Sequence, residues 1–282
     1  MGIKPFCLKP LLLCMFAIMV FWPVKPVDAA LVGHESFEYA VGNPLHLKGG
    51  GSFPDSWKDN KYWIPGFEGS NEGLTYPGLV TSGNAALNAG SGSDYRLNRP
   101  IGREWTTHEN DDLWISFLLR VDDATPHTGE FAGIVLARPS VVGSVFMGMT
   151  DTRNIGFSVQ QHDNFYVTHK EGYDDDAAVT GQTHLILAHL VFYENAADTL
   201  ELWVDPVLGK LDAPDDSYSN ARMVVSQIDI RAGYLEGGVL IDEIRIGDSS
   251  TDVLALVPIP GAFWLLGMGI LGIFGLRRGR RS

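Results

Sequence analysis

Glu201 and Asp205 stand four apart in Glu201-Leu202-Trp203-Val204-Asp205. Even spacing on a strand puts two carboxylates on one face. Glycosidases use that arrangement when a general acid and a nucleophile must reach one bond. Asp205, however, precedes Pro206 and reads as a strand-ending turn, which removes it from such a pair. The eight histidines do not cluster. His184 and His189 are five apart on one expected strand, so they point to opposite faces, and the odd spacing of His162 and His169 separates them likewise. There is no His-x-His or His-Glu-x-x-His, so nothing directs zinc to the chain. Lys48-Gly49-Gly50-Gly51-Ser52 lacks the spacing of a phosphate-binding loop. Ser140 and the other serines have no nucleophile-elbow motif around them. The candidate catalytic set is therefore empty.

Two other groups could bind rather than react. Trp57, Tyr62, Trp63, Phe67 and Tyr76 lie in a stretch from Gly42 to Gly92 rich in Gly, Pro, Asn and Ser, which predicts long loops around short strands. Flat rings in such loops can stack on sugar faces, and Trp57, Tyr62 and Trp63 are the candidate glycan contacts. Hard oxygens suited to calcium occur in Asp174-Asp175-Asp176, Asp215-Asp216 and Glu109-Asn110-Asp111-Asp112, none with EF-hand spacing.

These residues need a scaffold, and the pattern predicts strands. Leu113 to Val121, Phe131 to Leu136, Ser144 to Met149, Ile155 to Gln160 and Phe165 to His169 follow one another between turn residues. Thr183 to Tyr193 is almost wholly apolar, as expected of a central strand covered on both faces. Thr199 to Val204 alternates polar and apolar, and Val224 to Arg231 and Val239 to Ile246 complete the set. No amphipathic helical stretch exceeds about two turns. Short antiparallel strands of this kind bury their faces in a two-sheet sandwich. Spacing alone fits a jelly roll and an immunoglobulin-like sandwich equally.

The two ends carry address signals. Lys4 and Lys9 precede an apolar run from Leu11 to Trp22, and Val27-Asp28-Ala29 offers a signal-peptidase site, so residues 1–29 read as a signal peptide cut between Ala29 and Ala30. Both cysteines, Cys7 and Cys14, fall inside that leader, so the exported body has no thiol chemistry and no disulfide. At the other end, Val257-Pro258-Ile259-Pro260 leads into an uncharged run and then Arg277, Arg278, Arg280 and Arg281. Residues 259–276 would make a helix about 27 Å long at roughly 1.5 Å per residue, close to a hydrocarbon core of about 30 Å. The arginines should stay cytoplasmic. Without leader and tail the body keeps 14 basic and 33 acidic residues, a net charge of −19, once Lys4, Lys9, Lys25, Asp28 and the four tail arginines are removed. Such a body repels nucleic acid.

The tail resembles a PEP-CTERM protein-sorting signal in its Val-Pro-x-Pro variant, with Ile259 where the commonest form has glutamate. The resemblance implies handling by an exosortase, a membrane transpeptidase of Gram-negative bacteria that make extracellular polysaccharide. It also implies a cell-envelope or extracellular destination, with transient membrane anchoring by the C-terminus. Glu35-Ser36-Phe37-Glu38-Tyr39, Leu113-Trp114-Ile115-Ser116-Phe117 and Ile241-Asp242-Glu243-Ile244-Arg245-Ile246-Gly247 resemble a concanavalin A-like lectin/glucanase domain. That resemblance implies an all-β, two-sheet jelly-roll sandwich over residues 30–252, with first and last strands adjacent, followed by a sorting segment over 253–282. Adjacent end strands would allow a structural calcium held by Glu35 or Glu38 with Asp242, although no cofactor is required. Glucanases of this class carry Glu-x-Asp-x-x-Glu, which is absent here. Alginate-lyase relatives use Gln-x-His, for which Gln160-Gln161-His162 has a polar middle residue and no Tyr-rich strand behind it. The expectation is a non-catalytic, envelope-sorted surface or matrix protein associating with exopolysaccharide. The alternative is a secreted glycan hydrolase or lyase on the same fold.

Overall fold

The computed structural model describes residues 31–59, 66–88, 94–106, 110–122, 129–138, 144–149, 154–160, 166–169, 179–235 and 238–254. The signal peptide with Ala29 and Ala30, the sorting motif Val257 to Pro260, the apolar run and the tail arginines lie outside them. So do Tyr62, Trp63, Asp174-Asp175-Asp176 and His162. Among the described residues no helix is long and apolar enough to cross a membrane.

The body is all-β, two antiparallel sheets packed face to face. The strands are β1 (Leu31–Glu35), β2 (Lys58–Asp59), β3 (Phe67–Gly69), β4 (Ala86–Asn88), β5 (Tyr95–Thr106), β6 (Asp111–Val121), β7 (Phe131–Ala137) and β8 (Ser144–Met149). They continue as β9 (Ile155–Gln160), β10 (Tyr166–His169), β11 (Thr183–Phe192), β12 (Asp198–Val204), β13 (Asp216–Ala221), β14 (Val224–Gly233) and β15 (Val239–Gly247). A single turn of helix, α1 (Ser250–Val253), capped by Ser249, follows. The eight-stranded sheet runs β13-β12-β11-β6-β15-β4-β3, with β1 also on β15; the seven-stranded sheet runs β10-β9-β8-β7-β14-β5-β2.

Period-two alternation explains the core. Leu97 and Ile101 of β5, Ile134 and Leu136 of β7, and Ile228 and Ile230 of β14 point inward from one sheet. Ile115, Phe117 and Leu119 of β6 and Ile186, Ala188 and Leu190 of β11 meet them from the other. Strand β11 is interior, between β6 and β12, and is buried on both faces, as its continuous apolar run predicts.

First and last strands are neighbours: Leu31 pairs with Gly247 and Glu35 with Ile244. One edge of β15 is shared, since β4 takes Val239 to Ile241 and β1 takes Ile244 to Gly247. Between them the register slips against β6. Glu243 adopts a positive φ of 50° there. This bulge re-aims two acids, as bulges do.

Candidate functional site

The Asp242–Glu243 bulge is the centre from which the covered side of the molecule is built. Asp242 is fully buried and accepts from the backbone N–H groups of Leu74 (2.8 Å) and Glu243 (2.8 Å). Burial pushes its carboxyl up to about 8, against the pull of those two N–H groups and helped by the charges of Glu243 and Glu35. Glu243 accepts from the N–H of Ser82, pairs with Arg245 at 2.6 Å and meets His34 at 2.9 Å. Burial alone would raise its carboxyl, but His34, Ser82 and Arg245 hold it below the usual range. Arg245 also donates to the carbonyl of Val80. The two acids thereby fasten residues 74–82 to the last strand.

That fastened segment covers the outer face of the eight-stranded sheet. Leu118, Leu185, Leu187, Trp203 and Leu240 project outward from β6, β11, β12 and β15. Leu74, Leu79 and Ala85 from the 70–85 segment, with Val253 and Leu254 beside α1, close over them. Ser116 Oγ donates to the Val253 carbonyl at 2.8 Å and holds the helix down.

A cleft of about 710 Å³ opens at the edge of this cover, lined by Tyr76, Gln182, Thr183, Asp205, Pro206 and Leu208 among others. Asp205 follows β12 at φ 51°, a left-handed conformation. A residue before proline is normally extended, so this geometry costs roughly 1–3 kcal/mol and persists only because neighbours hold it. The holders are His184 Nδ1 on one carboxylate oxygen at 2.8 Å and the Leu185 N–H on the other at 2.9 Å. Tyr76 stands against the same carboxylate; burial and then the Asp205 charge push its phenol up to about 12. His184 Nε2 is buried and has no hydrogen-bond partner among the described residues. A separate, smaller groove of about 460 Å³ is lined by Gly209, Lys210, Leu211 and Leu254, among others.

The outer face of the seven-stranded sheet is different. Asp229 sits fully buried in β14, opposite Asn98 and Val135, and takes charge-assisted bonds from Arg96 and a 2.6 Å bond from Gln227. Burial raises its carboxyl despite those partners. Arg231 pairs with Asp94 and lies over the Phe131 ring, 5.1 Å from its centroid. Arg138 meets Glu104 at 3.2 Å. Phe131 and Phe146 meet edge to face at 6.3 Å.

The expected site residues fare unequally. Glu35 is buried inside the sandwich at the end of β1, where Arg99, the Tyr39 hydroxyl (2.8 Å), Trp57 Nε1 (3.3 Å) and the Phe37 N–H (2.9 Å) all donate to it. Glu38 lies beyond the strand, past the turn at Phe37 (φ 50°), and is exposed. Of the acids considered for a structural calcium, Glu35 is neutralised by Arg99, Glu38 faces solvent and Asp242 is occupied by backbone donors. Among the described residues no group of three or more His, Cys, Asp or Glu side chains is arranged to hold a metal. Trp57 is no sugar platform either. It is fully buried, stacked on Phe37 at 5.9 Å and faced by the Arg99 guanidinium. Phe67 is likewise core, and of the described early-loop rings Tyr76 reaches a cleft. His184 and His189 diverge as their spacing requires: His189 stacks on Trp114 at 4.0 Å, between Asp112 and Glu201.

No family model matches the chain, and no curated protein matches it. Solved structures similar to it include the globular domain of T. cruzi calreticulin (TM-score 0.49, 13% identity, covering 80% of this chain and 90% of that one). An endo-β-1,4-glucuronan lyase from the fungus Trichoderma reesei gives a TM-score of 0.46 at 14% identity, covering 76% and 98%. An endo-1,3-β-glucanase from Streptomyces sioyaensis gives 0.46 at 12%, covering 79% and 98%. At TM-scores below 0.5, none of these likenesses carries chemistry across to this chain.

Proposed function

We propose that the chain is an exported, envelope-sorted, non-catalytic surface or matrix protein whose concanavalin A-like jelly-roll body associates with exopolysaccharide. The observation that carries this reading is the order of parts at the end of the sequence: Val257-Pro258-Ile259-Pro260, an uncharged run, then four arginines. Proline fixes φ and disfavours helix in the residue before it, so this sequence favours an extended tetrapeptide. An extended strand at the outer membrane interface is what a transpeptidase can grip. A plain anchor has no use for it.

The body's carboxylates favour binding over catalysis. Glycoside hydrolysis needs two carboxyl groups reaching one bond. Here Asp229, Asp94 and Glu104 are each matched by an arginine, and Asp205 is held by His184 and Leu185.

Mass spectrometry of surface-released protein tests the sorting. In a strain with a working exosortase, peptides should end at or near Val257 to Pro260, and replacing Pro258 and Pro260 with alanine should leave the protein inserted but unprocessed. Intact peptides through Ser282 would reduce the tail to an anchor.

A further inference from the structure

We infer that the cleft between Tyr76 and Asp205 is a binding site for a neutral glycan. This inference rests on the polysaccharide reading and names the site and the class of sugar.

The volume, about 710 Å³, falls within the range of pockets that enclose small ligands, roughly 300–1,000 Å³. The lining joins two kinds of surface. The Tyr76 ring, Pro77, Pro206 and Leu208 give apolar faces that match the C–H face of a pyranose. The Gln182 amide, the Thr183 hydroxyl and the Asp205 carboxylate supply donors and acceptors for sugar hydroxyls.

Two linked features mark the spot. Asp205 holds a left-handed conformation before Pro206. Strain of this kind is retained where the surrounding structure over-determines it, and it clusters at ligand clamps. His184, with its side chain 5% exposed, spends its Nδ1 on Asp205 and leaves Nε2 without a partner among the described residues. A histidine so committed fixes which way the carboxylate points into the cleft.

The Asp205 carboxylate among neutral lining residues selects the ligand. Among the described residues no lysine or arginine lines the cleft, and Asp205 contributes a carboxylate. A uronate or phosphate would meet repulsion from that carboxylate, and the acidic body adds to it. A neutral hexose polymer meets none.

The test uses the full chain in a non-glycosidic detergent, titrated calorimetrically with neutral gluco- and manno-oligosaccharides and with oligouronates of equal length. A neutral series should bind and the uronates should not. Thr183→Val and Gln182→Ala should each weaken binding by about 3–10-fold, the worth of one lost neutral hydrogen bond, and Tyr76→Ala, which removes the stacking face, should weaken it by about as much. Arg96→Gln on the seven-stranded face should leave affinity unchanged, and thermal melts check that every variant is folded. If neutral glycans bind and the three cleft variants bind as the parent does, the cleft assignment is wrong while the polysaccharide reading stands. Preference for uronates would overturn the class of sugar. If no glycan binds at all, both fall.

Discussion

The outer face of the eight-stranded sheet is covered by a second apolar layer, while that of the seven-stranded sheet carries arginine–carboxylate pairs. The difference shows in the strands themselves. Strand β11 is apolar on both faces, because Ile186 and Leu190 enter the main core while Leu185 and Leu187 enter the outer layer. Strand β14 alternates, with Ile228 and Ile230 inward and Asp229 and Arg231 outward. A covered face can anchor long loops and build a cleft at its edge. A face of paired charges holds its own geometry but offers few uncommitted groups.

The sharpest way to break this contrast is to truncate the cover. Trp203→Ala should cost about 3–5 kcal/mol and Leu187→Ala about 2–5, the usual range for cavities under packed layers. Phe146→Ala on the opposite face should cost roughly half as much, since that ring is half-buried. Chemical denaturation reads all three. Equal losses on the two faces would contradict the account.

Ion pairs sharpen the contrast from the other direction. Glu35→Gln strands the buried Arg99 and should destabilise by about 3–5 kcal/mol. Arg96→Gln leaves the buried Asp229 with Gln227 and should cost about 1–3 kcal/mol. Arg103→Ala, which removes exposed pairs with Asp111 and Asp248, should cost under about 1 kcal/mol.

The bulge under the cover gives a pH signature that the other face does not share. The folded carboxyl of Asp242 is raised to about 8 from its ordinary 3.8. The folded state therefore binds the extra proton between those values, and stability falls as pH rises from about 4 to about 8, by roughly a few kcal/mol. Glu243, held low, acts oppositely: its contribution is present above its ordinary 4.5 and is lost at more acid pH. Asp242→Asn should flatten the melting temperature between pH 5 and about 8. A slope unchanged by that substitution would remove Asp242 as its source. Since protein donors hold Glu35 and Asp242, millimolar calcium against chelator should shift the melt least of all.

The pattern of the sequence makes much of this legible. The apolar run at 183–193, the turn at Asp205-Pro206, and the nearness of the first and last strands all appear as expected. Strand β5 is hidden because Arg99 occupies an inward position and Pro100 and Gly102 interrupt the run; its partner Glu35 lies 64 residues away. The bulge at Glu243 is invisible in the unbroken stretch from Val239 to Ile246, since neighbouring strands β4 and β1 set it. Trp57 reads as a loop ring, but Phe37, Arg99 and Glu35 converge on it from elsewhere in the chain and bury it. The cleft needs residues 75–77, 182–183 and 205–208 brought together, and no local pattern announces such a meeting.

The central claim is a body that holds polysaccharide without cutting it. The most direct test incubates the full chain, in non-glycosidic detergent, with bacterial exopolysaccharides and measures the mass of retained polymer by light scattering. The account predicts that neutral polymer is retained at unchanged chain length. Polymer shortened over the incubation, or none retained, would contradict it.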